Sequence, residues 1–173
     1  MISPEELHRV MPVAKKMTVA GYCMHLNDAM REFGIDNQLR EAAFLAQLAH
    51  ESGEFRYVRE LASGEAYEGR KDLGNCEPGD GVRYKGRGLI QITGRSNYRQ
   101  CGDALGVDLV SCPERLEEPE LACRSAAWFW SSRHLNELAD KGDFAAITRR
   151  INGGLNGYRE RLAYWERAKE ALA

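Results

Sequence analysis

No apolar run in this chain approaches the roughly 18 residues that a transmembrane helix needs, so stable membrane association is not expected. The opening Met-Ile-Ser-Pro-Glu-Glu has neither the basic stretch nor the apolar core of an export signal, which predicts synthesis in the cytoplasm without a leader. Basic residues are not in excess: 24 Lys and Arg stand against 26 Asp and Glu, for a net charge of −2. That balance argues against a nucleic-acid binder and against a polyacidic tail. Cysteine is scarce and odd in number (Cys23, Cys76, Cys101, Cys112, Cys123), with no C-x-x-C pair and no zinc-ligand spacing. Free thiols in a reducing compartment are expected, although Cys112 stands close enough in sequence to Cys101 and Cys123 to pair under oxidation. Serine-nucleophile elbows, phosphate loops and dinucleotide fingerprints are missing too, so no cofactor is expected. The 173 residues, 43% of them hydrophobic, suit one domain across 1–173, able to fold without metal or disulfide. No repeat or linker is visible, and no separate wall-binding module is expected.

What is present is mostly helical. Ser3-Pro4-Glu5-Glu6 forms a capping box with proline at the first helical position, followed by Leu7, Val10, Met11 and Ala14 on one face. Pro12 should kink or shorten that helix. Val19, Tyr22, Cys23, Leu26, Met30 and Phe33 make the stripe of a second helix closed by Gly34. Asp36 reads as the cap of a third over 37–51, bearing Leu39, Ala43, Leu45, Leu48 and Ala49. Further helices are predicted near 96–105, 119–132, 143–151 and 158–172, with Pro119 and Asp143 as start signals. The stripes of the last two are Phe144, Ile147 and Ile151, then Tyr158, Leu162, Trp165 and Leu172.

From 62 to 95 the periodicity stops. Eight glycines and Pro78 punctuate the stretch, and only Leu89-Ile90-Gln91-Ile92-Thr93 reads as a strand, in a small sheet. So long a non-helical segment in a helical chain is usually functional. Eight acids crowd residues 51–80 against four bases, while 83–99 holds five bases and no acid. The two segments either neutralise each other, the commoner outcome, or form opposite walls of a groove.

His50-Glu51-Ser52-Gly53-Glu54 begins like a zinc-protease helix, but position 54 is Glu where a second His is required, so the metal reading fails. Glu51 remains as a carboxylate at the end of an apolar helix, where apolar neighbours would suit it to carry a proton. Taken singly, most such residues are ordinary exposed Glu. Glu60 is the second candidate. On one continuous helix the two would point to opposite faces, about 13 Å apart along the axis. Only a reversal near Ser52-Gly53 brings them to the separation of about 6.5–9.5 Å that inverting glycosidases use. Glu54, Glu65 and Glu68 are rivals on physics alone. Gln91 and Thr93 would share one face of the strand and either orient water or merely face solvent. Asn152, before Gly153-Gly154, either offers its amide to a cleft or caps a helix.

The runs AAFLAQLAHESGEF at 42–55, AYEGRKDLGN at 66–75, PGDGVRYKGRGLIQITGRSNY at 78–98 and INGG at 151–154 together resemble glycoside hydrolase family 19, in its short phage and prophage endolysin branch. The resemblance runs from about residue 36 to residue 170. It implies a mainly α, lysozyme-like bilobal fold with a small β-sheet and a glycine-rich loop lobe. It also implies single-displacement hydrolysis of β-1,4 links between N-acetylated amino sugars. Glu51 then matches the general acid, Glu60 the general base and Thr93 a hydroxyl that holds the attacking water. Gln91, Asn97 and Asn152 match sugar-contacting positions, and Arg161, with Arg159 as its rival, matches an arginine near the base. The chain departs from plant chitinases of the family in a shorter loop between the acids, in Ser52-Gly53 for Thr-Thr, in Leu89 for Pro, and in Asn156 for an acid. The reading that follows is a monomeric peptidoglycan muramidase of the endolysin type, needing no metal or cofactor. It would reach the wall with a membrane-permeabilising partner. A chitinase on chitin oligomers and a non-catalytic glycan-binding protein are the alternatives.

Overall fold

A computed structural model describes all residues, 1–173. The capping box forms: the Ser3 hydroxyl accepts from the Glu6 amide (3.2 Å), and the Glu6 carboxylate accepts from the Ser3 amide (2.7 Å). Helix α1, Pro4–Val10, stops two residues before Pro12, as proline's steric demand on its predecessor requires. Helix α2, Lys16–Glu32, ends at Phe33, and Gly34 carries the left-handed turn at φ +66°. Helix α3, Gln38–Glu51, is capped by Asn37 rather than Asp36: the Asn37 side chain accepts from the Arg40 amide, while Asp36 pairs with the Arg40 guanidinium at 3.0 Å. Eight successive residues of α3, Ala42 to Ala49, are buried, so this helix is enclosed on all sides.

Helices α4 (Asp80–Arg83) and α5 (Arg95–Leu105) belong to the second half of the glycine-rich region and its exit. Then come α6 (Pro119–Ser132), α7 (Leu135–Asp140), α8 (Phe144–Asn152) and α9 (Tyr158–Ala171). Pro119 is the first residue of α6 and the Asp143 side chain caps α8, as expected. Helix α3 packs along α9, α2 packs on α6, and α1 closes against both α9 and α2. One apolar core results, with Phe44 set edge-on to Trp130. Three cysteines (23, 101 and 123) are buried in it, and all five are free.

The glycine-rich lobe contains short 3-10 turns at Glu65–Tyr67 and Lys71–Leu73, besides α4. It has no strand. Leu89–Thr93 was expected to be one, but Gly88 at φ +83° and Gln91 at φ +58° fold residues 88–91 into a tight turn. Arg87 and Ile92 exchange backbone hydrogen bonds across it (3.1 and 2.9 Å), and the small sheet reduces to the bridges Arg59–Arg87 and Arg87–Ile92. Leu89 and Ile90 are buried as loop residues. Asp80, buried at the start of α4, takes both branches of the Arg95 guanidinium at 2.7 and 2.8 Å. This one pair joins the acidic and basic segments. Arg87 instead reaches Glu117, outside both.

Candidate active site

Glu51 is the last residue of α3, and the chain reverses immediately after it. Gly53, Glu54 and Phe55 are all left-handed, at φ +56°, +57° and +68°. Such a conformation costs a non-glycine residue about 1–2 kcal/mol, so two of the three need compensation. Ser52 donates to the Leu48 carbonyl (2.7 Å) and accepts from the Phe55 amide (2.9 Å). Phe55 stacks on Tyr22 with ring centroids 4.5 Å apart. The buried Glu54 carboxylate accepts from the amides of Val13 and Ala14 (2.7 and 2.9 Å) and from the Tyr164 hydroxyl (2.8 Å). Both its oxygens are taken by the fold, which removes Glu54 as a rival base. Burial first, then this carboxylate, raises the Tyr164 phenol, so it remains a donor.

The Glu51 carboxylate meets a guanidinium, a partner that the expectation of apolar neighbours did not include. Its Oε1 sits 2.7 Å from Nη2 of Arg161. Arg161 is only 1% exposed and donates also to Gln47 Oε1 (2.6 Å) and to the Asn156 carbonyl (3.0 Å). Gln47 in turn donates to Thr148 Oγ1 (3.0 Å), completing a buried chain from α8 to the candidate acid. Arg161 was expected among the sugar-contacting residues near the base. Every branch of its guanidinium is instead committed inside the protein, against Glu51, so it positions that carboxylate. Arg159 is exposed and takes no part in this chain. Asn152 is the last residue of α8, with Gly153 rather than Asn152 as its C-cap, and its Oδ1 accepts from the Asn156 amide (3.1 Å), which ties the side chain to the following loop.

Glu60 is pinned by its backbone amide, which donates to the Gly86 carbonyl (2.9 Å). Its Oε2 accepts from the Tyr67 hydroxyl (3.0 Å), while Oε1 is buried with no hydrogen-bond partner. Burial first, then Glu60, raises the Tyr67 phenol, so this donor stays protonated. Gly86 locates the neighbours. A Cβ built there would lie 2.8 Å from Gln91 Oε1, 3.2 Å from Glu60 Oε2 and 3.3 Å from Thr93 Oγ1. Three oxygens therefore crowd the place where a Gly86 side chain would stand, so only glycine fits there without a shift. The turn at 88–91, not a strand, brings Gln91 and Thr93 to Glu60. The Gln91 amide nitrogen donates to the Gly88 carbonyl (3.0 Å), which aims Oε1 at this point. Thr93 donates to the Gln91 carbonyl (3.0 Å), leaving its oxygen free to accept. Asn97 donates to the Thr93 carbonyl (2.8 Å).

Gln91, Thr93 and Asn97 also line one cavity of about 140 Å³, together with Trp128, Phe129 and Arg133. Glu65 and Glu68 are exposed, and Glu68 is engaged by the Gly79 amide (3.2 Å). Tyr67, Gly86, Trp128 and Arg133 were not singled out from the sequence. Tyr67 and Gly86 lie inside its distinctive runs, but Trp128 and Arg133 sit at the end of a helix whose pattern shows only burial.

A helical body thus carries one carboxylate on a buried arginine and another beside the oxygens of Gln91 and Thr93. A family model described as chitinase class I matches residues 32–140, well over half the chain. A glycosyl hydrolase family 19 domain-containing protein of Haemophilus influenzae is 34% identical over 93% of this chain and 92% of its own. The chain belongs to glycoside hydrolase family 19. Endochitinase At2g43610 of Arabidopsis thaliana is 43% identical over 65% of this chain, which spans 39% of that longer protein. Among solved structures, a bacterial family 19 chitinase superposes with TM-score 0.83 at 23% identity, covering 99% of this chain and 95% of its own. Chitinase C of Streptomyces griseus superposes with TM-score 0.82 at 24% identity, over 99% of this chain and 76% of its own. The lysozyme-like fold follows from these likenesses.

Proposed function

We propose that this glycoside hydrolase cleaves β-1,4 links in peptidoglycan glycan strands, with inversion, as an endolysin-type muramidase. The observation that carries the mechanism is the Glu60 carboxylate, whose Oε2 stands with Gln91 Oε1 and Thr93 Oγ1 around the bare backbone of Gly86. A water molecule in the open space beside Gly86 has two hydrogens to give, one to Glu60 and one to Thr93, and a lone pair to direct at carbon. Glu60 takes the proton as the water attacks the anomeric carbon. Glu51, its Oε1 held by Arg161, delivers a proton from Oε2 to the departing glycosidic oxygen on the other face. The new sugar end has the opposite anomeric configuration. Thr93, Gln91 and Asn97 order the water and the sugar, and Trp128 offers an apolar face to the ring.

In this reading the enzyme acts as a monomer, is made in the host cytoplasm, and meets the wall through a membrane-permeabilising partner. The same chemistry on chitin is the second reading, favoured by the likeness to plant endochitinases. Mass spectrometry of a peptidoglycan digest separates the outcomes. Fragments ending in reducing muramic acid are expected. Reducing glucosamine ends would make the enzyme a glucosaminidase, 1,6-anhydro ends would remove hydrolysis, and release from chitin oligomers alone would establish the second reading.

A further inference from the structure

Arg133 closes α6 as its C-terminal cap residue and turns its side chain into the wall of the cavity that holds Gln91, Thr93 and Asn97. Its guanidinium carbon lies 3.4 Å from the centroid of the Phe129 ring, and Nη1 donates to Ser132 Oγ (3.2 Å). Arg150 donates to the Arg133 carbonyl (2.9 Å), which brings a second guanidinium to the same turn. Neither arginine forms an ion pair. That is unlike Arg40, Arg87, Arg95, Arg124 and Arg161, each of which holds a carboxylate. Burial alone acts on the Arg133 cation, lowering its pKa with no carboxylate to oppose the effect. A cation at a helix C-terminus gains something from the macrodipole, and stacking on Phe129 fixes its direction. Neither supplies the anion that a desolvated guanidinium fork is shaped to take.

The sugars of chitin are neutral, whereas every muramyl residue of peptidoglycan carries a carboxylate, on its lactyl ether or at the end of its stem peptide. An anionic substrate placed beside Glu60 is repelled by it unless a cation lies close at hand. We infer that Arg133 is a specificity residue which binds the carboxylate of a muramyl residue and so selects charged peptidoglycan over neutral glycan. This rests on the peptidoglycan reading above and names the group that enforces it.

The test compares cleavage of four glycan preparations by wild type, Arg133→Gln and Arg133→Lys. Peptide-free strands expose the lactyl carboxylate, and intact strands carry the stem-peptide carboxylates. Each is also used after conversion of its carboxyls to methylamides with carbodiimide and methylamine. The readout is the ratio of kcat/KM on the charged strand to that on its amidated counterpart, with melting temperature measured alongside. Wild type should prefer the charged strand by about tenfold. Arg133→Gln should bring the ratio close to one, and Arg133→Lys should keep most of the preference. Whichever strand type shows the preference identifies the lactyl or the peptide carboxylate as the group bound. A ratio equal in wild type and Arg133→Gln overturns the inference while leaving muramidase activity intact, because all strands are still cut. A wild type that cuts none of the four removes the peptidoglycan reading and this inference with it.

Discussion

Gly86 decides how much room the reacting water has. A methyl group there would come within 2.8 Å of Gln91 Oε1, closer than real side chains approach, and crowd the oxygens of Glu60 and Thr93. Gly86 lies outside the left-handed region, and the contact falls on the end of a side chain, so the fold can absorb the change. Gly86→Ala should therefore lower kcat by about tenfold or more, roughly 1.4 kcal/mol, with little change in melting temperature. Unchanged turnover would mean that the three oxygens do not share the attacking water. Thr93 tests the same point from the other side. Its hydroxyl hydrogen is already given to the Gln91 carbonyl, so Thr93→Val loses the water contact and also leaves a carbonyl unpaired. A turnover loss of about tenfold is expected with a stability loss of about 1 kcal/mol, while Thr93→Ser should recover both. If Ser falls as far as Val, the methyl matters and the hydroxyl does not. Residue types and motif runs made Glu60, Gln91 and Thr93 legible as candidates. Their convergence was not legible, because it depends on the bare backbone of Gly86, a residue that reads only as one glycine among many.

At the level of elements, periodicity located the ends of α6 and the body of α3 because apolar faces and caps are local signals. It failed at α7, a six-residue helix entered through His134 at φ +54° without a side-chain cap. The strand expectation failed for a related reason. Leu-Ile-Gln-Ile is as apolar in a buried turn as in a strand, and the positive φ of Gln91 is invisible in sequence. Helix α9 shows a third limit: its stripe Tyr158, Leu162, Trp165 and Leu172 is only partly buried, and its most enclosed large side chain is Arg161. Sequence spacing could not tie Arg161 to Glu51, since the link crosses from α9 to α3. This link has a measurable consequence. Arg161→Met leaves Glu51 and Gln47 without their donor and should cost about 3–5 kcal/mol, as for other broken buried pairs. Glu51→Gln keeps an acceptor for Arg161 and should cost less, about 1–3 kcal/mol, yet it removes the transferable proton and should slow turnover by about 10²–10⁴. Denaturant melts and turnover on the two variants check both. An Arg161→Met protein as stable as wild type would show that the buried chain does not hold α9 to α3.

Across the whole molecule, three of the arginine–carboxylate clasps that join separate parts of the chain also hold their acid below its ordinary range. Arg95–Asp80 fastens the glycine-rich lobe to α5, Arg40–Asp140 joins the start of α3 to α7, and Arg124–Glu32 joins α6 to α2. In each, hydrogen bonds from the arginine are the leading cause that holds the acid below its ordinary range, and Asp140 is brought down to about 2. A carboxylate lowered in the folded state stabilises the fold fully above its unfolded value, near 4 for aspartate, and loses that contribution as pH falls through the folded value. The melting temperature should therefore be level from pH 7 to about 5 with respect to these groups and decline between about 4 and 2. Asp80 is the most informative of the three because its side chain is only 2% exposed, so salt screens it least. Asp80→Asn should melt lower than wild type at pH 7 and decline less steeply below pH 4, since one of the titrating clasps is already gone. The measurement is a series of thermal melts for both proteins between pH 7 and pH 2 at fixed ionic strength. Parallel curves would show that the Asp80 clasp contributes nothing dependent on its charge, and that the other contacts of the lobe carrying Glu60 hold it in place.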